Sequence, residues 1–164
     1  MKEPLIRLID FKEEAVLDQV ELLLLDMYAY MSECGLANSL VADGAKKWRT
    51  GVERTLGRLG TLAVAESEDQ VIGFLRGIIK ISPDHLGNQK MGFVDHTFVA
   101  ASWRGKGIGR KLFDATQTWF HSKGVNQLEL QVLCENTSAI KAWQAMGFEP
   151  ELFQMRKRIG KTDS

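Results

Sequence analysis

Two cysteines, three prolines and no surplus of either charge leave this chain with few special constraints. Cys34 and Cys134 lie a hundred positions apart with neither a CxxC nor a histidine cluster nearby, which excludes a disulfide framework and a structural zinc site as organising devices. Free buried thiols are the expectation, and no metal is expected. Lys plus Arg and Asp plus Glu each total 21, so no global charge draws the chain to nucleic acid or to an anionic membrane, and neither is expected as a partner. Long hydrophobic runs are missing too. The longest aliphatic run, Leu22 to Leu25, is far too short to span a bilayer, and the opening MKEPLIRLIDFKEE mixes charges into any signal core. A cytoplasmic protein is expected. Without internal repeats, low-complexity tracts or a Pro/Ser/Gly linker, residues 1–164 parse as one domain, long enough to bury a core without staples.

What is present is periodicity. LIRLI (5–9) reads as a strand, and apolar residues at 16, 17, 20, 23, 24, 27 and 28 recur at helical spacing over 13–31. After the break at CGLANS, a weaker helical pattern covers 43–59 up to Gly60. TLAVAE (61–66) and VIGFLRGIIKI (71–81), separated by SEDQ, predict a β-hairpin in which Gly73 and Gly77 mark a bulge or a close backbone approach. MGFVDHTFVA (91–100) predicts a strand, 107–123 a helix closed by Gly124, QLELQVL (127–133) a strand and 137–146 a short helix. FEPELFQMRKR is expected to supply strand residues to the end. The order is α/β (α+β mixed): hairpin strands first, then one strand–helix–strand unit with a second helix.

RGKGIG (104–109) is the stretch with the clearest chemical meaning. Glycines let backbone N–H groups approach a ligand closely, and the unpaired N–H groups of a helix's first turn favour an anion. A nucleotide P-loop is excluded because Lys106 is followed by Gly107, with no hydroxyl to hold magnesium. The dinucleotide fingerprint GxGxxG fails as well. Arg110 fills the third glycine's place, AASWR separates the strand from the first glycine, and Glu129, 20 residues after Gly109, only imitates a ribose-binding acid. The pattern Gln/Arg-x-x-Gly-x-Gly/Ala is satisfied by Arg104, Gly107 and Gly109, with Val99 in the strand ahead and N-x-x-A-x7-G-F following at Asn136, Ala139 and Gly147-Phe148.

On these residues the chain resembles the GNAT superfamily of acetyl-CoA-dependent N-acetyltransferases, strongly over 91–148, by strand order over 61–81, and only architecturally over 1–60. The resemblance implies a central mixed, mostly antiparallel sheet with splayed strands, flanked by about four helices. It implies an acetyl-CoA pyrophosphate held by Arg104, Gly105, Lys106, Gly107, Ile108, Gly109 and Arg110, with the pantetheine arm along Phe98, Val99 and Ala100. Asn136 is then expected near that arm or buttressing the splayed strand, with Ala139 beside it. Lys141 is a weaker phosphate contact. Where many relatives carry a proton-donating tyrosine this chain has Trp143, which either walls the pantetheine tunnel or belongs to the core. The implied partner is a small-molecule amine. A homodimer is the expectation that similar proteins suggest.

Amine attack on a thioester needs a neutral nitrogen, a polarised carbonyl and a proton for the leaving thiolate. A lysine-like amine with pKa about 10.4 is mostly protonated at neutral pH, so exposing its lone pair costs about 4–5 kcal/mol. Asp95 is the leading candidate to bind the ammonium and pass its proton on, since strict alternation puts it on one face with Phe93, Thr97 and Val99. Imidazoles as a class titrate near neutrality. The same alternation nevertheless turns His96 to the other face, where a satisfied, buried histidine is expected. Glu129 is a weaker carboxylate candidate that an ordinary solvent-facing role would also explain, and the backbone N–H of Val99 is the candidate to polarise the carbonyl. Glu33, Asp43 and Glu66 are further acids that could draw a cationic acceptor. Two other readings are an acyl-CoA-binding module without turnover, suggested by Trp143, and, more distantly, a nicotinamide-binding oxidoreductase.

Overall fold

The apolar alternation of 60–81 folds back on itself around Glu68 and Asp69, whose φ angles of 50° and 63° make the tight turn that right-twisted hairpin strands require. The computed structural model describes residues 3–160. Five strands form one sheet in the order β1-β2-β3-β4-β5: Leu5–Ile9 (β1), Gly60–Ser67 (β2), Gln70–Ile81 (β3), Lys90–Val99 (β4) and Leu128–Leu130 (β5). The first four pair antiparallel and β5 joins β4 in parallel, which gives the mixed, mostly antiparallel sheet expected.

Four α-helices cover the two faces among the described residues: Glu14–Glu33 (α1), Gly44–Thr55 (α2), Ile108–Ser122 (α3) and Thr137–Ala145 (α4). Val16, Leu17, Val20, Leu24 and Met27 of α1 and Val52 of α2 pack on Ile9, Leu62, Val64 and Phe74 from one face. Leu112 and Phe113 of α3 and Trp143 of α4 pack on Ala63, Ala65, Leu75 and Val94 from the other. At about 1.5–3 kcal/mol per fully buried large apolar side chain, these two layers are the main force holding the helices on the sheet. Arg49 of α2 clamps α1 by ion pairs to Glu14, Asp18 and Glu21 while also meeting Glu53 of its own helix.

Several elements differ from expectation. The second helix ends at Thr55 instead of running to 59, because Leu56 leaves helical geometry and Gly57 turns left-handed with φ 72°. β5 is only Leu128–Leu130 instead of 127–133, since β4 diverges and offers no partner beyond Val94. That early stop leaves Cys134 in a loop, where it is exposed, and Cys34 is only half-buried at the end of α1, so neither is the buried thiol expected. The segment 149–160 forms no strand. It runs without a backbone partner and carries Leu152, Phe153, Met155 and Ile159 about nine-tenths exposed.

Candidate active site

The bend that shapes the site is a β-bulge. Arg76 pairs with His96 and Gly77 with Val94, so Asp95 is an extra residue in β4 with no partner in β3. Gly77 sits at the irregularity because a Cβ there would come 2.8 Å from the Phe120 ring. The bulge corrects the alternation argument. Asp95 does not share a face with Thr97 and Val99: its carboxylate meets Arg76 Nη1 and His96 Nδ1, each at 2.8 Å, on the side covered by α1 and α2. His96 shares that side, bonded to Tyr28 and Trp48, while Val99 packs with the α3 layer.

The extra residue also changes which edge the backbone groups of β4 face. Gly92 N–H donates to Gln127 C=O of the β5 side, whereas Ala100 N–H donates back to Ile72 C=O of β3. By alternation the polar groups of Val99 then point to the edge that β5 has abandoned, and its C=O there accepts a bond from Arg104 Nε at 2.9 Å. β4 and β5 are paired only over Gly92–Val94 and part from Asp95 onward. The opening therefore begins at the bulge and leads along β4 to the glycine loop.

That loop is built to leave its amides clear. Gly105 and Gly107 hold φ angles of 73° and 77°, a region that L side chains rarely adopt, and Gly107 caps α3. A Cβ on Gly105, Gly107 or Gly109 would meet nothing within 4 Å, and among the described residues none of the N–H groups of 105–110 donates to a backbone carbonyl, so the amides at the start of α3 are left without backbone partners. Buried Ile108 anchors the turn between them. The cationic side chains are already engaged: Arg104 stacks on Tyr30 and Phe98 at 4.8 and 5.0 Å, Lys106 lies 4.6 Å from Trp103, and Arg110 pairs with Asp114. Lys141 is exposed on α4. The amides and the helix dipole are thus the firmer anion-binding groups.

Across the opening, Asn136 caps α4. Its Oδ1 accepts from Ala139 N–H at 3.3 Å, from Ser138 Oγ at 3.2 Å and from Tyr30 Oη at 3.3 Å, tying α4 to α1. Trp143 is buried edge-to-face between Phe113 and Phe148, with ring centroids 5.7 and 5.5 Å away. Of the two roles expected for Trp143, the core role is the one this packing describes. Glu129 stands opposite Phe93 on the closed side, before the strands part. Glu66 pairs with Arg7, with Nε to Oε2 at 2.9 Å, Asp43 pairs with Lys47, and Glu33 is exposed.

On the side of the bulge covered by α1 and α2 the structure gathers residues that sequence reasoning passed over. Tyr28 Oη lies 3.3 Å from His96 Nε2, Trp48 Nε1 donates to His96 Nδ1 at 3.2 Å, and Arg76 stands 5.7 Å from the Trp48 ring. A lone arginine inside the apolar run VIGFLRGII was the available signal for this cluster. Burial works against both charges of the Arg76–Asp95 pair, pushing the guanidinium down and the carboxyl up. For Asp95 the opposing pull of His96, Arg76 and Lys80 outweighs burial and holds it below the ordinary carboxylate range.

An open strand edge leading from a carboxylate-bearing bulge to a glycine-capped helix is the arrangement of an acyl-transfer fold. The chain belongs to the acetyltransferase (GNAT) family, whose model matches residues 26–148. It is 33% identical over 89 residues to the mycothiol acetyltransferase of Renibacterium salmoninarum, covering 54% of this chain and 26% of that protein. It is 28% identical over 86 residues to an aminoglycoside N(6')-acetyltransferase type 1 of Stenotrophomonas maltophilia, covering 51% of this chain and 55% of that protein. The chain thus matches about a quarter to a half of the length of these curated relatives. The aminoglycoside N-acetyltransferase AAC(6')-Iy, solved with the bisubstrate analogue CoA-S-monomethyl-acetylneamine, superposes with a TM-score of 0.72 at 22% identity, covering 96% of this chain and 99% of that one.

Proposed function

We propose that this protein is an N-acetyltransferase of one catalytic domain that moves the acetyl group of acetyl-CoA directly to a primary amine of a small molecule. The observation that carries the reading is the unpaired edge of β4 running from the bulge to Val99 and on to the open amides of Gly105, Gly107 and Gly109. Those amides and the N-terminus of α3 would hold the pyrophosphate, and the Val99 backbone would lie along the pantetheine arm, its N–H directed at the thioester carbonyl. Asp95, kept ionised by its neighbours, would attract the acceptor's ammonium at the bulge. The acceptor class follows from the relatives, which are named for aminoglycosides and mycothiol.

A catalytically silent acyl-CoA-binding module remains the second reading, favoured by Trp143 sitting in the core where a proton-donating tyrosine was expected. One experiment separates them. Acetyl-CoA titration of wild type beside Gly107→Trp locates the cradle, and amine-dependent thiol release over a broad panel then reports turnover. Binding lost in a folded Gly107→Trp variant together with amine-dependent release supports the transferase; binding without release supports the module; no binding by wild type removes both.

The exposed Leu152, Phe153, Met155 and Ile159 support a homodimer that covers them, which light scattering of wild type against a chain ending at Glu149 would test. Among the described residues no helix is long and apolar enough to cross a membrane, which is consistent with the cytoplasmic location we propose.

A further inference from the structure

His96 Nδ1 has two claimants that it cannot serve at once. Trp48 Nε1 offers it a hydrogen at 3.2 Å, which requires a bare nitrogen, while the Asp95 carboxylate lies 2.8 Å away, which requires a protonated one. If Nδ1 is bare, Nε2 carries the hydrogen and donates to Tyr28, and a carboxylate oxygen faces a lone pair. If Nδ1 is protonated it donates to Asp95, and Nε2 is free to accept the Tyr28 O–H at 3.3 Å. The second state satisfies the anion and leaves only an indole N–H to find another partner.

We propose that Tyr28, His96 and Asp95 form a proton relay whose Tyr28 hydroxyl exchanges protons with the reacting groups at the bulge. The proposal rests on the acetyl-transfer reading and supplies the acid–base group that Trp143, locked between Phe113 and Phe148, does not. Its placement fits. The dyad of the relay sits at the bulge, where β4 and β5 part, and Tyr28 reaches it from α1 while remaining half-buried. The charged or titratable groups meeting His96 or Asp95 are Tyr28 from α1, Arg76 from β3 and, at longer range on Asp95, Lys80 from β3; α2 contributes only the neutral Trp48. Burial, aided by the Asp95 charge, pushes the Tyr28 hydroxyl up, which keeps it proton-bearing.

In the step itself the neutral amine nitrogen bonds to the thioester carbon and the carbon–sulfur bond breaks. The nitrogen loses one proton to the Tyr28 oxygen as the Tyr28 proton moves to His96 Nε2, and Asp95 balances the imidazolium. The reverse movement returns one proton to the thiolate sulfur. The sum is amine plus thioester to amide plus thiol, with the relay restored.

The test pairs kinetics with spectroscopy. Tyr28→Phe and His96→Gln are each expected to lower kcat about tenfold or more with little change in acetyl-CoA affinity, and the double variant is expected to lose no more than the worse single one. Nitrogen-15 NMR of wild-type His96 is expected to show Nδ1 protonated and Nε2 bare, with the Nε2 signal shifting in Tyr28→Phe. A kcat within twofold of wild type in Tyr28→Phe, or additive losses, would overturn the relay. If no amine supports turnover, the transferase reading falls and the relay's role falls with it, and the NMR tells the failures apart: an Nε2–H tautomer with Nδ1 accepting from Trp48 overturns the hydrogen-bond chain itself, and the Nδ1–H tautomer leaves that chain standing without its reaction.

Discussion

Replacing Gly107 and Gly109 separately with alanine should move stability in opposite directions, and only the first replacement should cost ligand affinity. Gly107 sits at φ 77° and Gly109 outside the left-handed region, yet a methyl on either would enter open space. Neither variant therefore clashes with the fold, and only backbone conformation separates their stabilities. An L residue forced into the left-handed region costs about 1–2 kcal/mol, so Gly107→Ala should lower Tm by about 3–6 °C for a chain of this size. Gly109 lies in the first turn of α3, where alanine gains about 0.5–1 kcal/mol over glycine, so Gly109→Ala should raise Tm by about 1–4 °C. The methyl of Gly107→Ala stands at the mouth of the amide cradle and should weaken acetyl-CoA binding about tenfold, or about 1.4 kcal/mol, whereas the Gly/Ala position of the pattern admits alanine at 109 and Gly109→Ala should keep affinity within about twofold of wild type. Scanning calorimetry and isothermal titration read the two quantities. If Gly107→Ala binds acetyl-CoA as tightly as wild type, the cofactor does not sit on these amides. If Gly107→Ala keeps the wild-type Tm, the positive φ imposes no constraint.

Three further outcomes follow from the packing and the charges. Gly92→Ala places a Cβ 2.5 Å from Leu128 and 3.0 Å from the Phe120 ring, and should destabilise by about 1–3 kcal/mol in urea unfolding. Trp143→Ala should cost about 3–5 kcal/mol by emptying the space between Phe113 and Phe148, and Trp143→Tyr should not raise kcat, because that position is packed as core. Asp95 titrates lower in the folded chain than its ordinary value of 3.8, so its ionisation adds stability above that pH and this contribution is lost as pH falls through the folded value. Acid unfolding followed below about pH 4 should therefore be steeper for wild type than for Asp95→Asn.

Much of the sheet was legible because period-two and period-3.6 patterns survive in the sequence, and the loop at Gly105 and Gly107 was legible because alternating glycines ahead of an amphipathic stretch mark a turn into a helix. The bulge was half legible. Gly77 marked its place, but a one-residue slip in β4 leaves no trace in composition, and everything downstream of it changed face. That is why Asp95 was grouped with Thr97 and Val99 when it belongs with His96 and Arg76. Tyr28 and Trp48 were invisible as a pair because they come from two helices and meet only over the strand between them. The final strand was misplaced for a different reason. FEPELFQMRKR has strand propensity, yet a strand needs a neighbour, and this segment has none within the described chain.

The extra residue at Asp95 acts as a phase shift in a two-state code. Upstream of it, even-numbered residues turn their N–H to β5, as Gly92 does, and their side chains to the α3 layer, as Val94 does; downstream, Ala100 turns its N–H to β3 and Phe98 packs on the α1 layer. One ten-residue strand can therefore hold two opposite phases, with its backbone groups past the bulge turned to an edge that β5 does not cover. Losing the single inserted residue would return every residue beyond it to the opposite face and the opposite edge at once.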